Sequence, residues 1–444
     1  MADSTMKAIN ILDYGAKADG SLNTAAIQRA VDACPPGGKV LVPEGCFVTG
    51  ALFLKGQMTL ELAEGAVLLG SSRTEDFPVL DIQYEGRRQP CYASLINICP
   101  PENVGLKAGA VSGRVLSGAA GEALTGRGSC AGSGAGRLCD ITICGSGTLH
   151  GNGAVLGPAE MEENLGRRGR TIYAECVDGF TVTGVTIREA PAWCFHLFNC
   201  RDIVIRGISL YNKYTEDGRE IGIPNNDGID PECCRNVVIE DCFIESEDDN
   251  VAIKSGRNEA GRAFGVPSEN IRISGCRFSH GFGVVCGSEM SGGVRNVLVE
   301  NCSFTDSFSV GSLKNQRGRG AAIENVRYEN CTHVNRDESF KDCKWYRGAI
   351  NIDQFYGIDD EDVDFVTRQE VTEATPAIRN ITFRNVSVDT VGGSAIYICG
   401  LPEMHVQNIV LDHVKAAGRG GLIAHNVDGL VIRELELCVK HPGE

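Results

Sequence analysis

One nine-residue register recurs through most of the 444 residues, and it limits the possible folds more than any other feature of the chain. Asn, Asp or Gly comes first, with apolar residues one, three, six and usually eight positions later. The copies run GFTVTGVTI from Gly179, DIVIRGISL from Asp202, NVVIEDCFI from Asn236, NIRISGCRF from Asn270, NVLVENCSF from Asn296, NVRYENCTH from Asn325, NITFRNVSV from Asn380, NIVLDHVKA from Asn408 and GLVIRELEL from Gly429. Apolar residues at offsets one and three describe a strand with one buried face. The change of phase to six and eight puts a turn of about two residues between two short strands. Successive copies start 23, 34, 34, 26, 29, 55, 28 and 21 residues apart, which is the period of a solenoid and not of separate domains. The expected fold is therefore all-β, a parallel β-helix forming one domain over 1–444. Each coil lies about 4.8 Å from the last, and residues sharing an offset stack into ladders. The side-chain amides of the leading Asn column can then bond from coil to coil.

The register also gives a place to several of the 20 cysteines. Offset six holds Val185, Ile208, Cys242, Cys276, Cys302, Cys331, Val386, Val414 and Leu435. Thiols there fill the slot of small core hydrophobes and need no bonding to explain them. Inter-coil disulfides are geometrically conceivable, whereas no paired Cys-x-x-Cys or Cys/His spacing suggests zinc.

Two segments depart from the repeat. TAAIQRAVDAC over 24–34 sets Ile27, Ala30, Val31 and Cys34 on one helical stripe, with Thr24 as N-cap and Pro35-Pro36-Gly37-Gly38 as the stop. A solenoid end exposes apolar strands and unpaired backbone, so this helix is expected to cap the first coil. Residues 105–138 are rich in Gly, Ala and Ser without periodicity and read as a long loop. GSGTLHGNG from Gly145 matches a phosphate-binding glycine motif only weakly, because no helical pattern follows it.

Forty-two Lys and Arg against 58 Asp and Glu give a net charge of −16, which disfavours nucleic acid and anionic membranes as partners. No apolar run reaches the roughly 18 residues of a membrane span. The start, Met-Ala-Asp-Ser-Thr-Met-Lys, lacks the apolar stretch of a secretory signal, and abundant reduced cysteine suits the cytoplasm, the expected location.

Polar residues that interrupt the repeat cluster between 225 and 319. They are Asn225, Asn226, Asp227 and Asp230; Glu247, Asp248, Asp249 and Asn250; Ser279, His280 and Gly281; and Ser312, Lys314, Arg317 and Arg319. The steps from Asp227 to Asp248, Asp249 to His280 and His280 to Lys314 are 21, 31 and 34 residues, each compatible with one coil. Stacking would bring carboxylates, imidazole and ammonium onto neighbouring rungs. Carboxylates held that close push up the pKa of one of them, which lets an acid and a base coexist at neutral pH. Asp248 and Asp249 would point to opposite faces of a regular strand, so both can serve one site only at a bend or bulge. Trp193 and His196, in PAWCFH, are candidates for a sugar-stacking ring and a polar contact, with core packing as the equal alternative.

The order Asn-x-Asp, Asp-Asp, His-Gly and apolar-Lys on a parallel β-helix resembles glycoside hydrolase family 28, the polygalacturonases and related pectin-degrading enzymes. NNDGIDPECCRNVVIEDC, DDNVAIKSG, GSEMSGGVRNVLVENC and QRGRG are similar to bacterial exo-acting members, and DYGAKADG, NTAAIQRAVDAC and GGKVLVP to their N-terminal portion. The resemblance runs from about Ile9 to about Val431. It implies a single-stranded right-handed β-helix, no cofactor, no metal, and an acidic pectic oligosaccharide as substrate, cleaved with inversion and from the chain end. It also implies Asp248 as general acid, Asp227 and Asp249 as the residues that orient and deprotonate water, and His280 as the group tuning the acid. Lys314 would bind a substrate carboxylate, Asn225 is the motif asparagine, and Arg317, Arg319 and Lys254 would complete a basic patch in the cleft. Three positions depart from the family pattern: Asn226 replaces threonine, Ser279 replaces glycine, and Ser312 replaces an arginine whose bidentate grip serine cannot imitate. Rhamnogalacturonan-type or substituted pectic oligomers therefore stand as alternative substrates. Two rivals remain at this stage: a calcium-dependent pectate lyase using Asp227, Asp230, Asp248 and Asp249 as oxygen ligands, and a non-catalytic β-helix that binds acidic glycans.

Overall fold

The computed structural model of the protein describes residues 8–100, 103, 136–163, 168–216, 219–220, 222–338 and 347–440. The loop expected at 105–138 lies outside them except for its last three residues. The described residues gather into two compact units. One holds those up to Tyr84 together with Arg88–Asn226, and the other holds Glu85–Arg87 and those from Asp227 on.

In the second unit every repeat opens on left-handed backbone, with φ of 56°, 57°, 57°, 57°, 60° and 56° at Asn236, Asn270, Asn296, Asn325, Asn380 and Asn408. Asn adopts this conformation more readily than other residues with a side chain, which is why Asn and Gly alternate in the column. Each amide donates to the carbonyl oxygen of the previous one, from Asn270 to Asn236 at 3.1 Å through to Asn408 on Asn380 at 3.0 Å. A second left-handed column sits at offset five, with φ of 55° at Asp241, 65° at Gly275, 55° at Asn301 and Asn330, and 51° at Asn385. It supplies the corner that the change of hydrophobic phase requires. The strands Arg235–Glu240, Ser268–Ser274, Val294–Glu300, Ala322–Asn335, Ala377–Thr390, Val406–Gly418 and Val427–Val439 pair in parallel and stack Val237, Ile271, Val297, Val326, Ile381, Ile409 and Leu430 in register. Cys242, Cys276, Cys302 and Cys331 are buried free thiols, and Cys331 pairs in register with Val386, the next residue of their column.

A second parallel sheet of this unit carries the chemistry. It consists of β1 (Ile229–Glu232), β2 (Val251–Ile253), β3 (Val284–Cys286), β4 (Gly311–Lys314), β5 (Gly348–Asp353), β6 (Ser394–Cys399) and β7 (Gly420–His425), paired in that order. Residues 354–376 fold back over its later strands, where Ile358, Val363 and Phe365 pack with Met404 and Ile423 against Phe355, Tyr397, Cys399 and Leu401.

The first unit repeats the same logic, with Val40, Leu60, Ile143, Val182 and Ile205 stacked in register on parallel strands. Its helix spans Thr24–Ala33 and buries Ala26, Ile27, Ala30 and Val31. Asn23, not Thr24, occupies the N-cap position and makes no side-chain cap bond. The Thr24 hydroxyl instead accepts the Gly50 N–H at 2.7 Å. Gln28 ties the helix to the edge of the stack, exchanging two hydrogen bonds with the Phe53 backbone.

Candidate active site

The Glu247–Asn250 segment forms no strand: it is the bend between Phe243–Ser246 and β2. The bend lets two consecutive aspartates serve one place, as the strand period demanded. The Asp249 N–H donates to Asp248 Oδ1 at 2.9 Å, and Ser246 Oγ donates to the Asp248 carbonyl at 2.9 Å. Oxygens of Asp227, Asp248 and Asp249 lie within 4.8 Å of one another, with Asp248 half-buried and the other two buried. The exposed member of the trio is therefore Asp248.

Two ammonium groups hold this acid cluster together. Lys314 Nζ donates to both oxygens of Asp249, at 3.1 and 3.0 Å, and its charge also lies 5.5 Å from the centre of the Phe282 ring and 4.9 Å from that of Tyr356. Lys254 Nζ stands 3.6 Å from Asp227, 3.6 Å from Asp230 and 3.5 Å from Glu289. Burial pushes the Asp227 carboxyl well above the usual carboxylate range, helped by the charges of Asp230 and Asp248 and opposed by Lys254. Burial likewise raises Asp249, against the pull of Lys314, and lifts Asp230 to about 8. Burial works against the charge of Lys314, but Asp249, Tyr356 and Asp248 together outweigh it and the ammonium is held protonated. Burial opposes ionisation of Glu289 too, yet Lys254 and Arg319 bring its pKa below the ordinary value.

The expected site residues thus divide. Asp227, Asp248, Asp249, Lys254 and Lys314 come together, and Lys254 and Lys314 are engaged with carboxylates of the protein itself. His280 has φ 53°, its Nδ1 lies 3.0 Å from Ser279 Oγ and 3.8 Å from Glu245 Oε1, and the residue after it, Gly281, packs directly on the Asp248 carbonyl. Arg319 donates to the Ser288 carbonyl at 2.7 Å and to Asn258. Arg317 does not join the cluster: its guanidinium grips Glu403 in two bonds of 2.7 and 2.9 Å. The basic patch expected from the sequence is therefore corrected to a set of matched charges, because each cation already has an anion or a carbonyl beside it. Ser312 shares a face of β4 with Lys314 and accepts from Asn351 Nδ2 at 2.8 Å. In the first unit, His196 is fully buried between Tyr173 and Trp193, with ring centres 5.3 and 4.9 Å away. Asn225, also there, has φ 59°, and its Oδ1 accepts from Arg168 at 2.9 Å.

Sequence reasoning gave Asp230 a role only as a calcium oxygen and gave none to Glu289 or Tyr356. The signal for the first two was available: an acid three residues after Asp227 and another in the coil after Lys254 both fall on rungs beside that lysine.

Residues 134–430 match the sequence profile of glycosyl hydrolases family 28. A probable polygalacturonase of Vitis vinifera is 29% identical over 91% of this chain and 73% of its own length. An exo-poly-alpha-D-galacturonosidase of Dickeya chrysanthemi is 28% identical over 93% of this chain and 68% of its own. The crystal structure of a hyperthermoactive exopolygalacturonase from Thermotoga maritima superposes with a TM-score of 0.69 at 25% identity, covering 96% of this chain and 92% of that one.

Proposed function

The chain belongs to glycosyl hydrolase family 28 and is a right-handed parallel β-helix, and from that premise we propose that it removes α-linked galacturonic acid from the ends of pectic oligosaccharides by single displacement with inversion. The observation that carries this reading is the carboxylate trio, with one member half-buried and the other two buried. Asp248, open to the substrate, protonates the glycosidic oxygen. Asp227 and Asp249 hold a water between them and take its proton. Lys314 keeps Asp249 anionic with two contacts, leaving a third N–H for a substrate carboxylate. Gly281 and the Phe282 N–H, in the coil of His280, support the acid through the Asp248 carbonyl.

Action from the chain end is supported by residues 354–376, which cover the later strands of the catalytic sheet, and by the names of the Dickeya and Thermotoga relatives. Ser312 favours a second substrate reading: where the family pattern has arginine, an uncharged Ser312–Asn351 pair stands beside Lys314, which suits a substituted or neutral sugar at that subsite. The lyase reading is weaker, because Lys254 and Lys314 already neutralise the oxygens that calcium would need. Among the described residues seventeen cysteines are free and Cys139 is disulfide-bonded; the preponderance of free thiols supports a reducing compartment such as the cytoplasm. A defined series of galacturonide oligomers tests the main reading. Monomer alone at the earliest time points is expected; products of mixed length would refute end-on cleavage, and no turnover of any member would refute the substrate class.

A further inference from the structure

One ammonium of the catalytic cluster keeps a donor for substrate: Lys314 has a third N–H after its two bonds to Asp249. The cations around it are matched. Lys254 faces Asp227, Asp230 and Glu289, Arg257 stands 3.5 Å from Glu85, and Arg317 grips Glu403. Arg347 donates to Asp353 Oδ2 at 3.0 Å and to the Ile358 carbonyl at 2.6 Å. Arg319 is 2% exposed and donates to the Ser288 carbonyl and Asn258. A plain galacturonate chain carries a carboxylate on every sugar, so two adjacent sugars would bring two anions to one ammonium. The floor beside Lys314 is uncharged as well. Ser312, two residues before it, shares its face of β4. The register partners of Ser312 are Val285 on β3 and Asn351 on β5, with Ala252 beyond Val285 on β2 and Tyr397 beyond Asn351 on β6. All five are buried. A carboxylate set down there would lose its water, and only Ser312 and Asn351, already bonded to one another, could replace it. A half-buried aromatic ring also stands beside Lys314. Phe282 stacks on Phe308 with ring centres 4.1 Å apart and planes 2° from parallel, and its own centre is 5.5 Å from Lys314 Nζ. Its face carries negative charge, so it packs against C–H groups and repels a carboxylate.

We propose that the sugar joined to the galacturonate held by Lys314 carries an uncharged, apolar group at C6, either the methyl ester of galacturonic acid or the methyl of a 6-deoxy sugar such as rhamnose, and that Ser312, Asn351 and Phe282 select it by excluding a second carboxylate. The proposal rests on the role given to Lys314 above and narrows the substrate of that same site. Both groups share what the floor and the ring can accept, a C6 without charge and with C–H bonds to bury. The three residues determine specificity and take no part in the proton transfers, which stay with Asp227, Asp248 and Asp249.

Three oligosaccharides test it, each ending in galacturonate and followed by galacturonate, by its methyl ester or by rhamnose, with kcat/KM measured for release of the terminal sugar. The parent should favour at least one uncharged neighbour over galacturonate by about tenfold or more. Preference for the ester alone or for rhamnose alone identifies which of the two groups the site takes. Ser312→Arg sets a guanidinium beside Lys314 and should narrow or reverse the preference by raising kcat/KM on the galacturonate-linked substrate. Phe282→Ala should slow the uncharged substrates more than the charged one. Equal or faster cleavage of the galacturonate-linked substrate by the parent overturns the proposal and leaves the galacturonide reading standing. Release of galacturonate from none of the three overturns that reading itself. An unchanged preference in a Ser312→Arg protein that melts like the parent also overturns the proposal, and if that variant does not fold, the order of preference in the parent decides alone.

Discussion

Gly281 and Phe282 are where the histidine coil touches Asp248, the proposed general acid, and replacing the glycine with alanine separates two effects that usually arrive together. Its φ is 64°, and an added Cβ would lie 2.3 Å from the Asp248 carbonyl oxygen and 2.6 Å from Ser246 Oγ. The same carbonyl already accepts the Phe282 N–H at 3.2 Å and the Ser246 hydroxyl at 2.9 Å, so it has no slack. Reaching an ordinary separation of about 3.5 Å requires Asp248 to retreat by about 1 Å. Displacement of a catalytic group by about 1 Å costs roughly a hundredfold in rate, or about 2.7 kcal/mol of barrier. Left-handed backbone adds about 1–2 kcal/mol of instability for any residue with a Cβ. Gly265 supplies the control: its φ is also 64°, but a Cβ there would meet only the Arg262 carbonyl, at 3.4 Å. Gly265→Ala should therefore lose about 1–2 kcal/mol in urea denaturation with kcat unaltered, while Gly281→Ala should lose more stability and about a hundredfold in kcat on a galacturonide oligomer. Equal kcat in the two variants would refute the claim that this glycine positions the acid.

Asp248→Asn should keep the parent's melting temperature and lose at least about a thousandfold in kcat, and proton NMR of the parent's first product should show the β-anomer. A first-formed α-anomer would replace displacement by water with a covalent intermediate, the outcome usual where carboxylates sit as close as about 5 Å. Lys314→Met leaves Asp249 buried without its cation and should cost about 3–5 kcal/mol, whereas the double variant Lys314→Met with Asp249→Asn should recover much of that; additive losses in denaturant titrations would contradict the pairing. Asn325 has φ 57°, accepts from Asn380 at 3.0 Å and donates to Asn296 at 3.2 Å. Asn325→Ala should cost about 2 kcal/mol and Asn325→Gly about half of that, with the reverse order excluding a backbone origin. Because Asp230 has its folded-state pKa raised from 3.8 to about 8, the native state holds a proton that the unfolded chain has released. Stability should thus fall as pH rises from about 4 to about 8, with a ceiling near 6 kcal/mol, and level off above it. Melting curves of Asp230→Asn should lose that slope, and an unchanged slope would count against a protonated Asp230.

The fold was legible because its periodicity is dense and redundant. Seven of the nine copies of one register place Val237 through Leu430 in a single column, and a slip of one residue would expose all of them. The corner at offset five was equally present as Asp241, Gly275, Asn301, Asn330 and Asn385, yet a search for apolar spacing does not register a column defined by backbone conformation. At the site, the motif order located Asp227, Asp248 and Asp249 together with the bend between them, since two adjacent acids cannot share a strand face. Which cations were already matched could not be read in the same way. Arg317 and Glu403 are 86 residues apart, on the connections that follow β4 and β6. The N-cap error has the same origin: Thr24 has the right chemistry, but its hydroxyl serves the Gly50 N–H, 26 residues away.

A net charge of −16 set against an anionic substrate suggested from sequence that the cleft must be locally basic. The structure resolves the conflict differently. Lys254 and Lys314 are 5% and 7% exposed, too deep to act as a steering surface, and each faces carboxylates of the enzyme. Their work is internal: Lys254 pulls the Asp227 pKa, and Lys314 the Asp249 pKa, down against the push of burial. On the proposed reading, attraction of substrate comes from the donor that Lys314 has left after Asp249, one group and not a field. A single short-range contact selects for one carboxylate on one sugar, whereas a basic groove would select for the length of a polyanion. The same economy accounts for Ser312 and Asn351. With no guanidinium beside Lys314, binding at the neighbouring position depends on neutral hydrogen bonds, and raising the ionic strength should change KM far less than it would for an enzyme that captures its substrate by charge.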